Sequence, residues 1–132
     1  MAGECYCAAL RTAARKATAI YDAALAPSGV NLAQFRLLRI VARAAPLSLT
    51  ELGRMTELDR STIGRNVRLL RHMGLVRIAP GTDQREATVV LEEAGSRALR
   101  EGGPLWEEAQ RRIESSLGRK PAAQLRTLLQ SL

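Results

Sequence analysis

The chain has 132 residues, of which 46% are hydrophobic, and these values fit one domain with a sizeable core. Its formal net charge is +7, from 20 basic and 13 acidic residues. No stretch approaches the roughly 18 to 20 apolar residues of a transmembrane helix, and the N-terminus lacks a signal pattern, so we expect a cytoplasmic protein with reduced cysteines. One histidine and the lack of GxSxG, HExxH or phosphate-loop motifs argue against an enzyme.

Two helices are predicted in the first third of the chain. Apolar residues at three- and four-residue steps, many of them alanine, predict a helix that ends at about Leu25. Asn31 and Gln34 form a capping-box pattern, which predicts a second helix to about Ala44.

A helix-turn-helix is predicted next. Ser48 and Glu51 form another capping-box pattern, for a short helix over 49–55 that directs Leu52 and Met55 inward. A fourth helix follows after a short turn that contains no glycine. Two helices joined in this way are typical of DNA-binding proteins, in which the second helix reads the bases.

The fourth helix has two different faces. Asp59 is a suitable N-cap, and Gly74 is a suitable left-handed stop. One face is apolar, with Ile63, Val67, Leu70, Leu69 and Met73. The opposite face carries hydroxyl, amide and guanidinium groups, on Ser61, Thr62, Arg65, Asn66 and Arg68. Such short polar and arginine side chains suit the base edges of the DNA major groove.

The hairpin that follows completes a basic surface. Two short apolar runs, 75–78 and 87–91, flank a polar turn and predict two strands. From Arg54 to Arg85 the chain carries seven arginines against three acidic residues. A polyanion such as DNA is the expected partner of such a patch, and a solvated basic face is the alternative.

These segments resemble the MarR family of bacterial transcription regulators. The resemblance rests on LDRSTIGRNVRLLRHMGLV and on Asp83-Gln84-Arg85 before VVLEEAG, and it extends over nearly the whole chain. The family pattern has an aspartate and an arginine two apart, followed by a strand and LTxxG. Leu91 and Gly95 match it, whereas Glu92 replaces the usual threonine and so removes a helix cap.

The C-terminal segment predicts a long helix over 93–118 and a last helix with a leucine stripe. Gly102-Gly103-Pro104 is expected to kink the long helix or to divide it in two. The stripe consists of Leu125, Leu128, Leu129 and Leu132. Because little core is left for these leucines to cover, we assign the first and last helices to a dimer interface, as the resemblance also implies. The alternative is that both helices fold back on their own chain.

The expected fold class is therefore mainly α with a small β-wing (α+β). Residues 31–92 would form a winged helix-turn-helix that binds DNA, and residues 1–30 and 93–132 would form dimerisation helices. A dimer would match an inverted repeat of double-stranded DNA with half-sites roughly 34 to 36 Å apart. Repression relieved by a ligand is the mode that the resemblance implies. A winged-helix adaptor that binds protein instead of DNA is the competing hypothesis.

Six residues are predicted to contact DNA. They are Ser61, Thr62, Arg65, Asn66, Arg68 and Arg85. Arg65 is the first candidate for a guanine contact, and Arg85 at the wing tip is the candidate for the minor groove. The two hydroxyls would contact phosphate or base, Asn66 would read adenine or face water, and Arg68 would contact phosphate or face water.

Two regions are candidates for sensing a signal. Cys5 and Cys7 could hold a thiophilic metal or metalloid with ligands from a partner chain, could sense oxidants by forming a bond between subunits, or could be structural. The resemblance implies instead a pocket for an anionic or phenolic ligand between the dimer helices and the winged module. Tyr21, Phe35, Arg39 and Trp106 are candidates to line it. No cofactor is required by either hypothesis.

Overall fold

The computed structural model describes residues 3–81 and 86–132. These residues form a mainly helical fold with a small antiparallel sheet, which confirms the predicted class. The elements, in chain order, are α1 (Tyr6–Leu25), a 3-10 turn (Ala26–Ser28), α2 (Leu32–Ala44), β1 (Leu47–Ser48), α3 (Leu49–Thr56), α4 (Arg60–His72), β2 (Val76–Pro80), β3 (Ala87–Leu91), α5 (Glu93–Leu117) and α6 (Arg119–Gln130). No helix in these two ranges is both long enough and apolar enough to cross a membrane.

Side-chain caps fix where α2 and α3 begin. The Oδ1 atom of Asn31 accepts a hydrogen bond from the N–H of Gln34 at 2.9 Å, and the Gln34 side chain accepts one from the N–H of Asn31 at 3.0 Å. At α3 the Oγ atom of Ser48 accepts from the N–H of Glu51 at 3.1 Å. Both capping boxes that the sequence predicts are therefore formed.

The sheet has the strand order β1-β3-β2. The hairpin register pairs Val76 with Leu91 and Pro80 with Ala87, and β1 joins the other edge of β3, with Leu47 opposite Val89. The two-residue strand β1 was not predicted, because so short a segment has no readable alternation. A single core joins the sheet to the helices around Leu38, which is fully buried.

Helix α5 runs without a break through Gly102-Gly103-Pro104, so the prediction that these residues might divide it is wrong. The absence of a side chain at Gly102 lets α5 pack closely against Phe35 and Leu25. A Cβ at Gly102 would lie 2.9 Å from the ring of Phe35 and 3.3 Å from the side chain of Leu25, both of which are buried. Pro104 has no backbone N–H, so α5 loses one hydrogen bond at this position. The helix continues because tertiary packing holds it on both sides of the proline.

Three residues predicted to face the core are instead exposed. They are Met55, Leu69 and Met73, whose exposed fractions are 53%, 48% and 37%. Successive helical residues lie about 100° apart, so Leu69 lies about 200° around α4 from the buried Val67. Met55 lies in the last turn of the short α3, beyond the reach of the core that buries Leu52.

Helices α1 and α6 both pack against α5, and α6 buries none of its residues. The exposed fractions of its leucines are 41% for Leu125, 67% for Leu128, 45% for Leu129 and 93% for Leu132. An apolar stripe of this extent remains uncovered by the chain itself.

Candidate nucleic-acid interface

The amino end of α4 is fixed by Asp59. Its Oδ1 atom accepts hydrogen bonds from the N–H of Thr62 at 2.8 Å and from the hydroxyl of Ser61 at 2.7 Å. The N–H of Thr62 and, secondarily, the Ser61 and Thr62 hydroxyls lower the pKa of Asp59 to about 2. At neutral pH the carboxylate is therefore ionised, and the hydroxyl proton of Ser61 is already donated to it.

Three of the predicted DNA contacts form one exposed line along α4. Ser61, Arg65 and Arg68 are exposed and recur at steps of four and three residues, which places them on one face. We call these three residues the reader stripe. Thr62 and Asn66 are half-buried and lie beside it, about 100° or more around the helix from Ser61.

Arg65 is held by a neighbour on its own helix. Its Nη2 atom donates to the Oγ1 atom of Thr62, with the two atoms 3.4 Å apart. Because Thr62 in turn donates its N–H to Asp59, the cap and the arginine form one connected network. Thr62 is thus placed to orient Arg65, and its direct contact with DNA stays a prediction.

Gly64 lies beside the Arg68 side chain and was not singled out by the sequence. A Cβ at Gly64 would lie 3.4 Å from the Nη1 atom of Arg68, so the guanidinium lies along the helix surface beside the glycine. The spacing of four residues is the only sequence signal for this contact.

The turn before α4 is tight although it contains no glycine. Glu57 takes the left-handed conformation, with φ of 58° and ψ of 26°. Gly53 in α3 lets the turn approach closely, since a Cβ there would lie 3.3 Å from the carbonyl oxygen of Leu58. The buried side of α4 then packs into the core through Ile63, Val67 and Leu70.

The β-hairpin joins α5 at a close contact. The Nε atom of Arg77 lies 3.5 Å from Oε1 of Glu92, and the N–H of Glu92 donates to the carbonyl oxygen of Leu75. The Glu92 side chain does not cap α5, as expected because Glu92 replaces the threonine of the family pattern. A Cβ at Gly95 would overlap the Leu75 carbonyl oxygen, which explains physically the glycine of that pattern. The wing-tip prediction, Arg85 with Asp83, falls outside the described residues.

Three of the four aromatic side chains meet where α1, α2 and α5 converge. The ring centroid of Trp106 lies 6.4 Å from that of Tyr21 and 6.5 Å from that of Phe35. The Cζ atom of Arg39 stands 4.8 Å from the Trp106 centroid, within cation–π range. Burial raises the pKa of Tyr21.

A cavity of about 240 Å³ opens beside this cluster. Phe35, Arg39 and Trp106 line it together with Arg43 and Glu107. Tyr21 lies beside Trp106 but is not among the lining residues, so three of the four residues proposed for such a pocket line it. The separation along the chain from Arg39 to Trp106 leaves no local sequence signal for this juxtaposition, which was expected from the family resemblance alone.

The two cysteines stand at the start of α1, and both are exposed free thiols. Cys5 is the N-cap residue with an extended backbone, and Cys7 lies in the first helical turn. The ranges 3–81 and 86–132 contain no group of three or more His, Cys, Asp or Glu side chains placed to hold a metal ion. A metal at Cys5 and Cys7 would thus need ligands from a second chain or a low coordination number.

Comparisons with known proteins agree with this architecture. Residues 28–86 match the family model described as "MarR family". The chain is 33% identical to the transcriptional regulator MosR of M. tuberculosis, in a structure with DNA, over 97% of this chain and 98% of that one, with a TM-score of 0.80. No curated protein sequence matches the chain.

Two further structures share the fold at 22% identity. One is a mutant of E. coli MarR complexed with operator DNA, which matches over 92% of this chain and 89% of that one with a TM-score of 0.86. The other is Bordetella bronchiseptica BpsR, whose DNA binding is regulated by 6-hydroxynicotinic acid, over 99% and 94% with a TM-score of 0.88. The family model and the 33% identity to MosR identify the chain as a member of the MarR family of transcriptional regulators, which are not enzymes.

Proposed function

We propose that the protein is a homodimeric repressor that binds a palindromic operator in double-stranded DNA and is released from it by a chemical signal. The reader stripe is the observation that carries this proposal. It presents a hydroxyl and two guanidinium groups to solvent on the second helix of a helix-turn-helix. Guanidinium groups bind guanine edges and phosphates, which are the acceptors that a major groove offers to such a helix.

The exposed leucines of α6 support the dimer. A symmetric pair of chains would cover this stripe with its own copy, and the two α4 helices would then face successive turns of one duplex. The DNA complexes of MosR and of the E. coli MarR mutant support DNA as the partner. A protein-binding adaptor is the competing function, and it would present apolar or acidic groups where the reader stripe stands.

A comparison of Arg65→Ala with Arg68→Ala tests the DNA-binding function. Both residues are exposed arginines on α4, so each variant removes the same charge from the same surface. We expect Arg65→Ala to weaken operator binding about 5- to 150-fold, equivalent to about 1–3 kcal/mol, and to relax specificity at one base pair. Arg68→Ala should weaken all duplexes alike and reduce the salt dependence by about one counterion.

The measurement is fluorescence anisotropy with the operator, its single-base variants and random DNA over a series of salt concentrations. Equal losses on operator and random DNA for Arg65→Ala would remove its base-reading role. A wild-type protein that binds no inverted repeat better than random DNA would favour the adaptor. Arg85, the predicted minor-groove contact, remains a prediction for the same assay.

The signal is proposed to act at one of two places. Cys5 and Cys7 would bind a thiophilic metal or metalloid, or be oxidised to a disulfide between subunits by a peroxide that is reduced to water. The cavity beside Trp106 would instead bind a small aromatic acid, whose carboxylate would pair with Arg39. BpsR, whose regulator is such an acid, supports the second possibility.

Two variants separate these sensors. The double variant Cys5→Ser, Cys7→Ser should keep operator binding and lose release by peroxide or by trivalent arsenic. Arg39→Ala should keep that release and lose release by aromatic acids. Operator release is followed by anisotropy for each compound. If the double variant responds to every thiol reagent as the wild type does, the cysteine hypothesis fails, and an unchanged response of Arg39→Ala to aromatic acids would reject the cavity.

A further inference from the structure

Asp22 makes an uncommon connection between α1 and α2. Its Oδ1 atom accepts a hydrogen bond from the N–H of Leu32 at 2.8 Å. Within the described part of the chain, it is the one side-chain hydrogen bond that joins residues 1–30 to the winged module, residues 31–92. Most other side-chain hydrogen bonds there link residues two to four positions apart, and the exceptions stay within one helix or one hairpin.

The bond suits the chemistry of a helix end. Leu32 is the first residue of α2, and its N–H has no acceptor within that helix. The positive end of the helix dipole also favours a carboxylate at this position. Asn31 caps the same helix from within the winged module, whereas Asp22 reaches it from another helix. The start of α2 is therefore capped by a side chain of α1 as well as by its own N-cap residue, Asn31.

Because this bond lies near one end of α1, a small rotation there displaces the other end of the helix by several ångströms. Helix α1 has 20 residues, and Asp22 stands near its C-terminal end. At 1.5 Å per residue, α1 is about 30 Å long, so a rotation of about 10° at this junction moves the far end by about 5 Å. A base pair adds only about 3.4 Å along DNA. A rotation of this size therefore displaces the end of α1 by more than the rise of one base pair.

We propose that Asp22 is a positioning residue that sets the angle between α1 and the winged module, and thereby the half-site spacing that the dimer accepts. This inference rests on the proposed dimeric DNA-binding function. Without the bond, the junction retains the 3-10 turn Ala26–Ser28, its left-handed cap Gly29 (φ 84°) and the core packing of α1 on α5. The two reader stripes would then tolerate a wider range of separations.

The test compares three variants on operators of different spacing. Asp22→Ala removes the acceptor, Asp22→Asn keeps an acceptor oxygen, and Asn31→Ala removes the cap that lies within α2. The Kd of each dimer is measured for the best inverted repeat and for versions with one or two base pairs inserted between the half-sites. Thermal unfolding is recorded for every variant.

We expect Asp22→Ala to lower the preference for the best spacing about tenfold, while Asp22→Asn and Asn31→Ala keep the wild-type preference. Both alanine variants should lower Tm by similar amounts, so the change in spacing preference separates positioning from stability. Asp22 is half-exposed and alanine is a good helix former, so the fold should persist, and Asp22→Ser repeats the test with another short side chain.

A wild-type spacing profile for both Asp22→Ala and Asp22→Ser would overturn the inference, as would an equal change in Asn31→Ala. A wild-type protein without preference for any inverted repeat would instead overturn the proposed function, and the inference with it.

Discussion

Replacing Leu128 with glutamate is expected to split the proposed homodimer. Leu128 is 67% exposed on α6, so a glutamate there costs the single chain little. In a twofold interface the same residue appears twice, and each copy would place an unpaired carboxylate among apolar side chains. An uncompensated buried charge costs about 3–5 kcal/mol, which weakens association by at least about a hundredfold.

Sedimentation equilibrium at micromolar protein measures the effect directly. The variant should be monomeric, and its operator affinity should fall towards that of a single half-site. Met55→Glu serves as the control, because Met55 is 53% exposed on α3, outside the proposed interface. This control should keep the dimer mass. A Leu128→Glu protein that remains dimeric would place the interface elsewhere and leave the α6 stripe unexplained.

The local features of this fold could be read from the sequence because their causes lie within a few residues. Capping boxes at Asn31 and Ser48 depend on a partner three residues away. The buried face of α4 follows from steps of three and four residues, and the left-handed Gly74, with φ of 78°, follows from a helix stop. The reader stripe was predicted for the same reason, since one helix carries all of it.

Features that depend on distant residues could not be read in this way. No local pattern shows that Asp22 caps the helix that begins at Leu32, and the meeting of Trp106 with Arg39 was expected only from the family resemblance. A kink or a division of the long helix was left open because a glycine pair before a proline usually interrupts a helix, whereas here α5 is continuous and Gly102 is required by the ring of Phe35. Local rules fail at the positions where tertiary packing sets the conformation.

A second large effect is expected for Gly95→Ala, which should lower the free energy of unfolding by about 3 kcal/mol or more. The new Cβ would overlap the carbonyl oxygen of Leu75 and would lie 3.0 Å from the Leu91 side chain. Overpacking against movable side chains costs about 1–3 kcal/mol, and a backbone oxygen has less freedom to yield. The first turn of α5 would be displaced from the hairpin, and the bond from Glu92 to Leu75 would be strained with it.

Two other glycines of α5 calibrate this expectation. Gly102→Ala meets ring atoms of Phe35 at 2.9 Å and should cost about 1–3 kcal/mol. Gly103→Ala meets nothing within 4 Å apart from its chain neighbours, and its gain in helix propensity is opposed by the contact of its Cβ with the ring of Pro104, so it should change stability by less than about 1 kcal/mol. Urea unfolding followed by circular dichroism should therefore rank the variants with Gly95→Ala lowest and Gly103→Ala highest. A Gly95→Ala protein as stable as Gly103→Ala would mean that α5 can shift away from Leu75, and that the close contact between the hairpin and α5 does not hold the wing in place.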